Sequence, residues 1–251
     1  MSLRYCFEED YVKATLARSK KDDLAVIDTD GIGTSLIKSA VNRGVHIYGY
    51  INVGALEMGR SYYDTYKHLR LARYEGWSGE YWIDPTAPEW REHIVNLAKM
   101  VKATGAIGVY FDNTDIYYEV RHIKQEYVRK IPDQNMVYKS LRDIFCALSD
   151  IGLIVMPNGG DSFVRRFYIE CPSRLYTINQ EGCLYEDFKR QPRSERQYRT
   201  EYMTWAKKKG LYVRGIEYCK KASQIAECKA YYLAHGYQGL YISKHKELKG
   251  D

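Results

Sequence analysis

The chain lacks most of the features that would settle a function quickly. Its six cysteines, at 6, 146, 171, 183, 219 and 228, include no C-x-x-C pair and no zinc spacing, so no structural metal cluster is expected. Small, buried, apolar side chains are the simplest role for most of them. No apolar run approaches the roughly 20 residues of a membrane-spanning helix. No charged-then-apolar signal peptide opens the chain. Lys and Arg outnumber Asp and Glu by 38 to 32, yet no basic block concentrates that excess into a nucleic-acid footprint. The nearest to one, Lys207-Lys208-Lys209, precedes Gly210 and suits a solvated helix end, where the helix dipole favours cations. No linker and no low-complexity segment interrupts the chain.

What is present is an alternation. Apolar, β-branched runs at 4–7, 24–28, 45–52, 107–111, 153–156, 175–179, 212–217 and 240–242 predict strands. Helical patterns separate them, including 35–42, 88–104, 138–149, 195–208 and 223–234. The 88–104 segment shows the helical period best: Trp90, Ile94, Leu97, Ala98 and Val101 recur at three and four, Pro88 suits the first turn, and Gly105 suits the end. Strands alternating with amphipathic helices imply parallel βαβ units. Eight of them in 251 residues predict an α/β chain forming a single (β/α)8 barrel of the TIM type over residues 1–251.

In such a barrel, chemistry sits at the C-terminal ends of the strands. The predicted strands end at Asp28 and Asp30; at Asn52, with Glu57 beyond; at Asp112, Asn113 and Asp115; at Asn158 and Asp161; at Asn179 and Glu181; and at Glu217 and Tyr218. Acidic and carboxamide groups thus gather on one rim of a basic chain. Helix capping explains Asp28, Asp30, Asp115 or Asp161 equally well, and Asn52 suits a loop-holding role. Asp112 and Glu181 resist that explanation, because each directly ends an apolar strand and Glu is a poor turn former. Glu217 shares the placement, with a partner cation such as Arg214 as the alternative.

Two carboxylates facing each other across a barrel mouth suit glycosidic bond cleavage. Sugars present apolar ring faces, and the loops after the third and fourth strands are rich in rings: Tyr62, Tyr63, Tyr66, Tyr74, Trp77, Tyr81, Trp82, Tyr117 and Tyr118. A metal-dependent hydrolase is the weaker alternative. The histidines at 46, 68, 93, 122, 235 and 245 fall mostly in helices or loops, and His46, within a strand, suits packing better than ligation. No cofactor and no metal are expected.

"YGYINVGALEMGRSYY", "EGWSGEYWIDPTAPEWREHI", "GAIGVYFDNTD" and "QEGC" resemble, in consistent order over residues 24–219, the signatures of glycoside hydrolase family 114, the endo-α-1,4-polygalactosaminidases and their relatives. The resemblance implies a (β/α)8 barrel that hydrolyses α-1,4-linked galactosamine polymers. It implies Asp112 as nucleophile and Glu181 as acid/base, with Asn113 and Asp115 as orienting or substrate-contacting residues and Asp84 as an anchor beside them. Asp28, Asp30, Asn52, Glu57, Asn158, Glu217 and Tyr218 complete the expected substrate-binding set.

Two departures from the family pattern bear on the sugars accepted. Gln180-Glu181 stands where Asn-Glu is usual, and Pro157-Asn158-Gly159 stands where Lys-Asn-Asp is usual. The expected partner is a polysaccharide or oligosaccharide, with a monomeric chain. A secreted or cell-surface location follows from that substrate class, with a cytoplasmic one as the alternative; in the former, Cys171, Cys183, Cys219 and Cys228 could contain a disulfide. A barrel that binds polysaccharide without cutting it is the competing functional class.

Overall fold

The computed structural model describes residues 2–250. All eight expected strands form, with ends shifted by one or two residues: β1 (Leu3–Cys6), β2 (Leu24–Ile27), β3 (His46–Asn52), β4 (Gly108–Asp112), β5 (Ile154–Pro157), β6 (Thr177–Glu181), β7 (Tyr212–Tyr218) and β8 (Gly239–Ser243). The first five form one parallel ladder in chain order, and β6, β7 and β8 form another. A parallel bridge between Asn158 and Asn179 joins the two ladders, and β8 packs back beside β1.

The helices of nine residues or more are α1 (Glu9–Arg18), α2 (Thr34–Asn42), α3 (Pro88–Ala103), α4 (Gln134–Asp150), α5 (Asp161–Glu170), α6 (Arg193–Lys208) and α7 (Ala222–His235). The strand periodicity does not announce α1 or α5. Helix α1 buries only Val12, Thr15 and Leu16, so its apolar stripe is too thin to stand out. Lys207 and Lys208 do close α6, with Gly210 in the left-handed region just beyond.

Alternation along the strands sorts the apolar side chains into two clusters, as a barrel requires. Tyr5, Val26, Tyr48, Tyr110, Met156, Ile216 and Tyr241 fill the interior. Ile47, Val109, Phe111, Val155, Ile178 and Val213 face outward under Ile94, Val101, Phe145 and Val164 of the helices. Trp90 of α3 is fully buried and donates its indole N–H to the Val53 carbonyl at 2.9 Å. Burying that side chain contributes on the order of 3 kcal/mol, and the bond fixes the point where the chain leaves β3.

What leaves β3 is an insertion absent from the simple alternation. Residues 55–57, 70–73 and 80–83 form a three-stranded antiparallel sheet standing over one side of the barrel mouth. Gly54 lets it start there, because a side chain at 54 would run into the Asn113 carbonyl. A smaller hairpin, Tyr185–Glu186 with Lys189–Arg190, follows β6. The six cysteines are free; Cys6, Cys183, Cys219 and Cys228 are buried, and Cys219 Sγ lies 3.6 Å from Cys228 Sγ.

Candidate active site

The same alternation that sends Tyr48, Tyr110 and Met156 inward carries the next inward positions to the mouth. Counting by two from Tyr110 gives Asp112, from Met156 gives Asn158, from Asn179 gives Glu181, from Ile216 gives Tyr218 and from Val26 gives Asp28. Five strands, β2 and the consecutive β4 to β7, therefore deliver polar groups to one floor because their ends share a parity.

At its centre, Asn158 Nδ2 donates to Asp112 Oδ1 at 3.0 Å and to Glu181 Oε1 at 2.8 Å. Because both oxygens are within hydrogen-bond reach of one nitrogen, they lie less than about 6 Å apart. Asn158 is itself oriented from below, where Asn179 Nδ2 donates to its Oδ1 at 2.9 Å. Glu181 also accepts from Tyr110 Oη at 2.9 Å and from Tyr218 Oη at 2.6 Å. Asp112 accepts from the Asn113 N–H at 3.0 Å, an arrangement reached by Asn113 adopting φ +60°, where Asn is tolerated.

Burial pushes the Asp112 carboxyl up to about 6, against the hydrogen bonds from Asn158 and Asn113 that favour its ionised form. Glu181 is also raised, by burial first and by the Asp112 charge second, while Tyr218, Tyr110 and Asn158 pull the other way. When Asp112 ionises, its charge therefore helps Glu181 keep a proton.

The pair lies in an open cavity of about 890 Å³. Thirteen carboxyl side chains line it against three cations, Arg60, Arg199 and Lys246, and all three cations are already engaged. Arg60 joins Asp28 at 2.5 Å to Glu57 at 2.7 Å. Arg199 donates to the Glu181 and Gly182 carbonyls and pairs with Glu186 at 2.9 Å. Lys246 sits 3.7 Å from Asp187. The insertion adds Glu80, in register opposite Glu57, where like charges repel. Burial, with Glu57 and Asp112 contributing, raises Glu80 to about 8. The cleft is thus strongly acidic within a basic chain and favours a cationic ligand.

Of the residues picked from the sequence, Asp112, Glu181, Asp28, Asp30, Glu57, Asn113, Asp115, Asn158 and Tyr218 line this cavity. Burial, reinforced by Asp161 and Glu119, brings Asp115 to about 6. Three expected substrate contacts fall elsewhere. Asn52 is buried beneath the floor, accepting from Ala55 N–H and Asn113 Nδ2 and donating to Glu57 Oε1 at 3.0 Å. Asp84 is buried at the start of α3, where it accepts from the Thr86 N–H and hydroxyl and pairs with Arg129 at 2.7 Å.

Glu217 has the parity opposite to Tyr218, so it faces outward, fully buried. It accepts from the Leu184 and Tyr185 N–H groups and from Tyr232 Oη rather than from Arg214. Pro157 is also off the cavity wall, so the usual Lys of that position leaves no gap in the lining. Gln180 lines the cleft and donates to the Glu181 carbonyl at 2.8 Å.

Only Tyr74 and Trp77 of the nine candidate rings line the cavity. Tyr62 and Tyr66 pack on Trp90 and His93, and Tyr63 and Tyr81 flank Arg70. The rings at the mouth that the loop composition did not suggest are Phe7, Tyr50 and Tyr198. Inward parity from Tyr5 and Tyr48 would have found the first two. Tyr198 and Arg199 come from α6, and no local signal marks them. Among the described residues no group of His, Cys, Asp and Glu has the arrangement of a metal site.

An eight-stranded α/β barrel with an acidic, ring-lined cleft at the C-terminal ends of its strands defines the class of barrel glycosidases. Within that class the chain belongs to glycoside hydrolase family GH114, whose family pattern matches residues 4–250. No curated protein matches the chain in sequence.

Among solved structures, the chain is similar to the glycoside hydrolase domain of PelA from Pseudomonas aeruginosa, with TM-score 0.77 and 16% identity, covering 98% of this chain and 95% of that one. Ega3 from Aspergillus fumigatus, solved in complex with galactosamine, matches with TM-score 0.73 and 15% identity, covering 100% and 91%. An α-galactosidase from Thermus thermophilus matches with TM-score 0.61 and 10% identity, covering 95% and 57%. At these identities the likenesses establish the barrel.

Proposed function

We infer that this chain is a single-barrel, monomeric glycoside hydrolase that cleaves α-1,4-linked galactosamine polymer outside the cell or at its surface, with Asp112 and Glu181 as the catalytic residues. The observation that carries the reading is the Asn158 amide joining Asp112 Oδ1 and Glu181 Oε1 at 3.0 and 2.8 Å. A separation of less than about 6 Å leaves little room for a water between carboxylate and sugar, and fits cleavage with retention of configuration.

The steps follow from that spacing. Glu181, protonated beside ionised Asp112, gives its proton to the glycosidic oxygen as the C–O bond breaks, and Asp112 forms a bond to the anomeric carbon. Glu181, now a carboxylate, takes a proton from water; the water oxygen displaces Asp112, and both side chains return to their starting states. Galactosamine's free amine is an ammonium at neutral pH, and the acidic cleft supports a substrate of that charge.

The test is product stereochemistry by proton NMR during hydrolysis of a galactosamine oligomer. Initial formation of the α-anomer agrees with the reading, and initial formation of the β-anomer contradicts it. A barrel that only binds polysaccharide would release no product at all.

A further inference from the structure

Lys246 supplies an unplanned demonstration of what the cleft rim can hold. Its ammonium lies 4.8 Å from the centroid of the Trp77 ring and 3.7 Å from Asp187 Oδ1. Trp77 comes from the turn between residues 70–73 and 80–83, whereas Asp187 comes from the hairpin that follows β6. A ring face and a carboxylate from opposite sides of the mouth therefore converge on one alkylammonium. Asp187 and Phe188 form the two-residue hairpin turn with φ of +46° and +63°, a conformation that Asp tolerates and that is costly for Phe188. That turn holds Asp187 at the rim. Trp77 is 42% exposed and the Lys246 side chain 47% exposed, so the lysine is free to leave its place.

We propose that Trp77 and Asp187 form an outer ammonium subsite, filled by Lys246 in the empty enzyme and taken over by the amine of a galactosamine residue when polymer binds. The chemistry matches on both counts. An aromatic face and a carboxylate together favour a cation over a neutral group, and a sugar ring also offers apolar C–H surface to an indole. The subsite rests on the galactosamine reading given above and extends it from the bond that is cut to how the chain on either side is gripped. Lys246 acts as an internal competitor, so removing it and removing its cradle have opposite consequences.

The experiment compares Lys246→Ala, Trp77→Ala and Trp77→Phe with wild type on three substrates: galactosamine polymer, fully N-acetylated polymer, and a single-sugar aryl α-galactosaminide too short to reach the rim. Lys246→Ala is expected to lower KM for galactosamine polymer by about 2- to 5-fold, the value of an exposed cation–π contact. Trp77→Ala raises it by at least that factor, Trp77→Phe restores part of the loss, and kcat is unchanged throughout. The aryl glycoside responds to none of the variants, and the Lys246→Ala gain disappears on acetylated polymer, which has no ammonium.

If Lys246 and Trp77 serve only as a clasp between the two hairpins, both alanine variants move KM in the same direction or not at all, and the subsite is overturned. Should wild type cleave acetylated but not free-amine polymer, or neither, the galactosamine reading falls and the subsite with it. Wild-type cleavage without the opposite-signed split removes the subsite alone.

Discussion

Tyr218 donates its phenol to Glu181 Oε2 at 2.6 Å, from the strand next to the one that carries the carboxyl. That bond favours the ionised form of Glu181, whereas burial and the Asp112 charge favour the protonated one. Removing it therefore raises the Glu181 pKa further. Tyr218→Phe should move the alkaline limb of the kcat/KM profile upward by about one pH unit, the worth of one hydrogen bond to a charged group. A limb that stays in place, or moves down, would show that Glu181 is not the group titrating there.

Glu80 faces Glu57 across the insertion sheet and carries a pKa raised from the usual 4.5 to about 8. The folded state holds this proton more tightly than the unfolded chain. Its contribution to stability is thus fully present below pH 4.5 and is lost as pH rises through about 8. Glu80→Gln should raise Tm at pH 8.5 and leave it nearly unchanged at pH 4.5, measured by thermal denaturation in matched ionic strength. An equal shift at both pH values would trace the effect to packing rather than to charge.

Glu217 is expected from the sequence to contact substrate, but the fold buries it away from the cleft. It holds the Leu184 and Tyr185 N–H groups just after the QEGC stretch. Glu217→Ala leaves three buried donors, the Leu184 and Tyr185 N–H groups and Tyr232 Oη, without that partner, at a cost of about 1–3 kcal/mol each. The expected result is a clear fall in urea midpoint with kcat of the folded fraction within about 3-fold of wild type. A loss of kcat comparable to a catalytic substitution, at unchanged stability, would return Glu217 to the site.

How far the sequence could be followed depended on whether a signal was periodic. The eight strands stand out because their β-branched runs bury both faces, and Asp112 and Glu181 stand out because they end such runs. The same period of two, counted from Tyr110 and from Ile216, separates Asp112 and Tyr218, which point in, from Glu217, which points out; adjacency to a strand end alone does not. Asp84 shares a motif with cleft residues yet holds the turn before α3 through Thr86 and Arg129, because the insertion sheet carries the chain away from the mouth between Glu80 and Asp84. Arg60, Arg199 and Lys246 were illegible for a different reason. Each reaches the cleft from a loop or a helix, through contacts with residues far away in the chain, and local pattern holds no record of that.

The most direct test of the central claim is reducing-end release from purified α-1,4-galactosamine polymer by wild type, Asp112→Asn and Glu181→Gln, each verified as folded by circular dichroism. The account predicts cleavage by wild type and a loss of about 10³-fold or more in kcat for both variants. Wild-type inactivity, or either variant retaining a tenth or more of wild-type turnover, would contradict it.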